Sequence, residues 1–250
     1  MLKEIKNLFS FLTAIPVSMD QDMLTDAAKG MFIFPLIGAF IGLLAGLFGW
    51  VTFHFLPSLV VGALVLGFLL LITGLHHTDG LLDFGDGVMA HGSPERKIEI
   101  MHDQLTGAGG LSLGIMTFLI TAFSIAELDA GIIIQGLVVV EVSAKLSMVI
   151  GACAGKVVHK GMASSLLEAM HGKKGTARLI AALVISFGIA VPLLWLAGVV
   201  TVLAAIMASL VMVGISHRHF KGVTGDVLGA TNELTRMVSL ITLLAMIRWV

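Results

Sequence analysis

The sequence predicts an all-α, polytopic membrane bundle of about six or seven transmembrane helices, with its polar motif helices gathered at the cytoplasmic face. Three observations carry this. Charged residues make up only 12% of the 250 residues, against about 25% in an average soluble domain. Uninterrupted apolar runs recur along the chain, most of them reaching the roughly 17–25 residues a helix needs to cross hydrocarbon. The runs also lack the polar–apolar alternation of a membrane β-strand, which leaves helices as the way to satisfy the backbone in lipid.

The N-terminal MLKEIKNLFSFLTAIPV joins a basic start to a short apolar part. No small-residue cleavage site follows and Pro16 interrupts it, so an amphipathic segment lying on the membrane is expected, not a signal peptide. Spans are expected at 31–52, 58–75, 110–126, 131–154, 179–197, 199–215 and 237–250. The last is short alone and gains length by extending backward into LGATNELTR. Between the second and third spans, Ser93-Pro94-Glu95 is a helix-start signal. The single cysteine, Cys153, falls inside a span and is read as a small buried hydrophobe. No repeat or low-complexity linker divides the chain, so residues 1–250 are expected to form one domain.

Charge is distributed unequally between the connecting segments. Residues 54–57, 127–130 and the turn at Gly198 carry no Lys or Arg, whereas the alternate segments hold thirteen of the fifteen basic residues. The positive-inside rule then places the N-terminus and those segments in the cytoplasm of a multi-pass cell-membrane protein. Lys145, within a span, and Arg248 stand outside the pattern. The acidic segment 76–103, the basic segment 155–178 and HRHFKGVTGDVLGATNE therefore share one face. The net charge of −1 carries no nucleic-acid footprint.

The densest polar cluster, HHTDGLLDFGDG, follows an apolar run directly. On a helix with Asp79 at the origin, Asp83 falls at about 40° and Asp86 at about −20°, so one face holds all three. Glu99 and Asp103, four apart on the next helix, could aim at the same point. Such like charges take up protons or capture a cation. Oxygen donors without cysteine select a hard ion: Mg²⁺, Mn²⁺ or Ca²⁺. A solvated helix end is the plain alternative. It would not ordinarily interleave Gly80, Gly85 and Gly87, each costing about 0.5–1 kcal/mol in a helix. On the same wheel His76 lies at about 60°, beside the aspartates, and His77 at about 160°.

The later polar segment KGVTGDVLGATNE offers a glycine-bearing turn before a helix, with oxygen groups on Thr224, Asp226, Asn232 and Glu233 and positive charge on Arg218 and Lys221. Such a turn can present backbone N–H groups to a phosphate, although an ordinary loop is an equal reading. His217 and His219 flank Arg218 and could join an anionic pocket; His54, His159 and His171 read as interfacial loop residues. Within the fourth span Glu141 and Lys145 are spaced i, i+4, which suits either a structural ion pair or a functional one.

Taken together, these motifs resemble the cobalamin synthase family, the adenosylcobinamide-GDP ribazoletransferases. FLTAIPV, FPLIGAFIG, HTDGLLDFGDG, KIEIMHDQLTGAGG and GVTGDVLGATNE are similar to five blocks of that family, in its order and nearly end to end. Ala14, Lys145 and Gln104-Leu105 depart from the family's usual residues. A more distant likeness joins DFGDGVMAH to the CDP-alcohol phosphatidyltransferases, with His91 in place of their arginine.

The cobalamin synthase resemblance implies that adenosylcobinamide-GDP and α-ribazole, or its 5′-phosphate, are joined to give adenosylcobalamin, or its 5′-phosphate, and GMP. It implies Mg²⁺ held by Asp79, Asp83, Asp86 and Asp103, with Glu99 completing the shell. Asp103 or His77 is expected to accept the hydroxyl proton. Arg218, Lys221, Thr224, Asp226, Glu233 and Arg96 are expected on the nucleotide and phosphate side. Membrane lipid surrounds the chain, and a homo-oligomer is left open. Two rivals are a phospholipid-type transferase and an ion transporter; the latter would place its carboxylates near the bilayer midplane, not at one face.

Overall fold

In the computed structural model, residues 2–15, 23–158 and 162–249 are described. Pro16, His159 and Lys160, each used in the sequence reading, lie outside them. Among the described residues, four helices are long and apolar enough to cross a membrane, or five spans if the bent pair Ser58–Ile72 and His76–Met89 is one. The four are α3 (Phe34–Phe53, entered through a 3₁₀ turn at Met31–Ile33), α7 (Ala108–Ala126), α8 (Ile133–Ala154) and α10 (Gly172–Phe220). Around them lie α1 (Leu2–Leu12), α2 (Met23–Lys29), α4 (Ser58–Ile72), α5 (His76–Met89), α6 (Pro94–Met101), α9 (Met162–Met170) and α11 (Gly225–Trp249). Among the described residues the only β pairing is an isolated bridge between Val157 and Val223.

Two expected spans prove to be the arms of α10. Forty-nine residues would run roughly 73 Å if straight, over twice the hydrocarbon thickness. The helical backbone instead breaks at Trp195, where φ is 50° and ψ −126°, three residues after Pro192. A Cβ on Gly198 would lie 2.2 Å from the carbonyl oxygen of Ala190, which a straight helix cannot bring about. Arms 172–194 and 196–220 thus fold back as a hairpin, its tip close to the expected turn at Gly198. α11 reaches back to Gly225, as the short final run required. Arg236 is consequently not in a loop: it lies mid-helix with no solvent exposure.

α8 is the central post, buried along nearly its whole length. Glycine lets α3 lie against it, since Cβ atoms on Gly38 and Gly42 would strike the carbonyls of Glu141 and Leu137 at 2.4 and 2.3 Å. α8 also carries the interior's charge. Arg236 of α11 reaches Glu141 of α8 and Glu233 of its own helix; its Nη2 lies 3.2 Å from Glu141 Oε2. Lys145 Nζ donates to Asn232 Oδ1 at 2.7 Å, and Asn232 donates onward to Glu233. Two positive and two negative groups therefore balance within one buried network joining α8 to α11. This favours the structural reading of the Glu141–Lys145 spacing.

α4 ends early and the chain turns 97° into α5, through positive φ at Gly74 and Leu75. The aspartate helix therefore runs across the bundle's end instead of continuing the second span, as residues 73–75 would have done in the expected run 58–75.

Candidate active site

Glycines set α5 in place. A Cβ on Gly80 would lie 2.8 Å from the Asp226 carbonyl oxygen and 2.9 Å from its Cα. On the opposite flank, a Cβ on Gly85 would lie 2.8 Å from the Gly110 Cα. α5 thus lies in direct backbone contact with both α11 and α7. Its lower face, with His77, Leu81 and Phe84, is buried.

The upper face holds the carboxylates. Asp79 is exposed, and Asp83 and Asp86 are partly buried. Burial first, then the charges of Asp79, Asp226 and Asp86, push the Asp83 carboxyl up to about 7. Burial likewise raises Asp226, opposed by His102, whose Nε2 lies 4.0 Å from Asp226 Oδ2. The first turn of α11 therefore delivers a fourth carboxylate to the α5 face.

Several expected site residues have other engagements. Asp86 accepts the N–H groups of Gly107 at 2.7 Å and Gly110 at 2.8 Å, so it caps the start of α7. Glu99 pairs with Arg96 at 2.9 Å on the surface, both side chains more than 60% exposed, and is not drawn into the aspartate group. Arg96, expected to bind phosphate, is thus paired in the exposed i, i+3 contact. Asp103 is exposed and accepts the Leu105 N–H at 3.2 Å. Thr224 accepts the Val227 N–H at 3.3 Å as the N-cap of α11. Glu233, expected on the phosphate side, sits in the buried network with Arg236. Arg218 and Lys221 remain exposed at the end of α10.

His77 departs most from expectation. It is buried on the packed face with no partner for Nδ1, and burial holds its imidazole well below the usual range. It faces the packed interior, away from the solvent-side face that carries the aspartates. His76 is the exposed one of the pair, as a regular helix requires. His102 is not among the expected residues, and Asp226, expected on the phosphate side, lies instead beside the α5 aspartates. His102 had only its adjacency to Asp103 to mark it, and Asp226 lies more than 120 residues from α5.

The three polar segments do meet at one end. Lys97 of α6 donates to His219 Nδ1 at 2.9 Å, the Lys156 N–H donates to His217 Nε2 at 3.1 Å, and the Val223 N–H donates to Lys156 O at 2.8 Å. Among the described residues, no group of three or more His, Cys, Asp or Glu side chains is placed so as to hold a metal ion. Asp79, Asp83 and Asp226 offer oxygen donors only, and the repulsion among them is of the kind a hard divalent cation relieves.

Residues 4–244 match the family model described as cobalamin-5-phosphate synthase. The chain is 34% identical to the adenosylcobinamide-GDP ribazoletransferase of Methanococcoides burtonii, over 97% of this chain and 92% of that one. It is 33% identical to that of Methanosarcina mazei, over 97% and 91%, and 32% identical to that of Thermococcus kodakarensis, over 98% and 99%. No solved structure matches. The chain belongs to the cobalamin-5-phosphate synthase family of transferases.

Proposed function

We propose that the chain joins adenosylcobinamide-GDP to α-ribazole or its 5′-phosphate at the α5–α11 carboxylate face, in the presence of Mg²⁺, releasing GMP. The observation that carries the reading is the meeting of Asp79 and Asp83 with Asp226, brought from opposite ends of the sequence onto one open surface. Mg²⁺ bound there would neutralise charge on the diphosphate, the chief requirement of phosphoryl transfer. Asp79, Asp83 and Asp226 would hold it, while Asp86 fixes the facing end of α7.

The ribazole hydroxyl attacks the cobinamide-side phosphorus; a P–O bond forms and the bond to the departing GMP breaks. The hydroxyl proton passes to an exposed base. His102 Nε2, beside Asp226, suits this role, and Asp103 is the neighbouring alternative. Arg218 and Lys221 would meet the nucleotide phosphate. The face would look into the cytoplasm, where the basic segments also lie.

The test is GMP release by purified protein given Mg²⁺ and both substrates. Asp83→Asn is expected to abolish release while the protein still inserts and folds. Full turnover by that variant, or turnover unaffected by chelator, would refute the metal role.

A further inference from the structure

The depth at which α5 lies can be read from the helix that leads into it. α4 has 15 residues, roughly 22 Å, against about 30 Å of hydrocarbon. Its start belongs to the far end of the bundle. That end is marked by exposed aromatic groups suited to a membrane boundary: Trp50, Phe55 at 80% exposure, and Trp195 at the hairpin tip at 79%. α4 and α7 run side by side, since a Cβ on Gly62 would lie 2.2 Å from the Ala122 carbonyl. Set with its start at the far boundary and its axis along the membrane normal, α4 would carry the α4–α5 corner to about 8 Å short of the near edge of the hydrocarbon.

Exposed apolar side chains continue past that corner toward the carboxylates. Ile115 and Leu111 of α7 are 48% and 55% exposed, and this lipid-facing side of α7 leads on to Met89 at 69% and Leu105 at 80%. A Cβ on Gly109 would touch the Met89 side chain at 2.9 Å, which places Met89 against the start of α7. Leu105 lies two residues before Gly107, whose N–H is held by Asp86. In water these two side chains would be a large unexplained apolar exposure. At the depth given by α4 they are continuous with the membrane-facing surface.

We propose that Met89, Leu105 and Leu111 form an interfacial surface immersed in the near leaflet, so that the carboxylate face lies at the level of the lipid head groups instead of standing clear in water. The partner is the head-group and upper acyl region of the bilayer. The consequence is that an amphipathic substrate already adsorbed on the membrane meets the carboxylates edge-on. This rests on the membrane reading of the helices and not on the reaction assigned above.

The test uses the full chain in lipid nanodiscs with Cys153→Ala as background. Nitroxide labels are attached one at a time at Leu105→Cys, Met89→Cys and Leu111→Cys. Phe123→Cys serves as the lipid reference and His91→Cys as the aqueous one. Collision with oxygen, which partitions into lipid, is compared with collision with a water-soluble nickel chelate. Labels at Leu105 and Met89 are expected to collide several-fold more with oxygen, as at Phe123. A balance at both positions equal to that of His91, or tilted further toward nickel, overturns the proposal. Leu111 decides the matter if a label at either of the other two perturbs the loop.

Discussion

Gly80→Ala tests whether the α5–α11 contact, and not simply the presence of aspartates, makes the site. The added Cβ would meet backbone atoms of Asp226 at 2.8 and 2.9 Å, where ordinary packing keeps at least 3.4 Å. Backbone in the first turn of a long helix cannot step aside as a flexible side-chain end can. α5 and α11 must therefore separate by about 0.6 Å or more, and Asp226 moves away from Asp79 and Asp83.

Overpacking of this kind costs about 1–3 kcal/mol, and alanine's better helix propensity returns about 1 kcal/mol of it. The net loss of stability is thus at most about 2 kcal/mol. The loss of function is larger, because a misplacement near 1 Å at a reacting centre can cost about a hundredfold. In a GMP-release assay kcat is expected to fall about 10–100-fold, while the melting temperature in detergent falls by no more than about 4–8 °C. Gly67→Ala is the control: a Cβ there meets nothing within 4 Å, so activity should be kept and stability kept or raised. Wild-type kcat in Gly80→Ala would show that the approach of Asp226 to α5 is irrelevant to catalysis.

Asp86→Asn should lower stability by about 1–2 kcal/mol, since it weakens the cap on α7, whereas Asp79→Asn should leave the melting temperature near wild type. Arg236→Met leaves Glu141 and Glu233 facing Lys145 alone and is expected to cost about 3–5 kcal/mol by thermal melting. Adding Glu141→Gln to that variant restores charge balance and should recover part of the loss. The Asp83 carboxyl, folded near 7 against 3.8 unfolded, makes the native state bind the extra proton between those values. Stability without divalent ions should therefore fall as pH rises from about 4 to about 7, and Asp83→Asn should flatten the curve. Over the same range Mn²⁺ affinity, measured by calorimetry, should rise to a plateau above pH 7.

Long-range structure was legible where one helix determines it. The apolar runs located α3, α7 and α8 within a few residues, and Ser93 does cap α6, accepting the Arg96 N–H at 3.4 Å. Two errors share a cause. Arg236 counts among the thirteen basic residues of the connecting segments because a charge near a span looks like a span's end. The corner after α4 was missed because the apolar run continues to Leu75. In each case a partner decides: Glu141 of α8 makes a buried arginine tolerable, and the contacts of α5 with α7 and α11 draw the chain sideways. Neither partner is visible in the local sequence.

The same division explains the aspartate motif. Periodicity alone put Asp79, Asp83 and Asp86 on one face and His77 on another, and the helix obeys it. Periodicity could not tell which carboxylates stay free. Asp86, Glu99 and Asp103 share the chemistry of Asp79, yet one caps α7, one pairs with Arg96 and one turns into its own loop. Asp226 joins because Gly80 has no side chain and because α11 is held in register against α8 by the Arg236–Glu141 pair. The glycines of the motif are therefore functional at one remove. Gly80 admits Asp226, and Gly85 admits the start of α7 that Asp86 then caps. A motif that reads as a string of metal ligands is in large part a set of instructions for bringing three helices together.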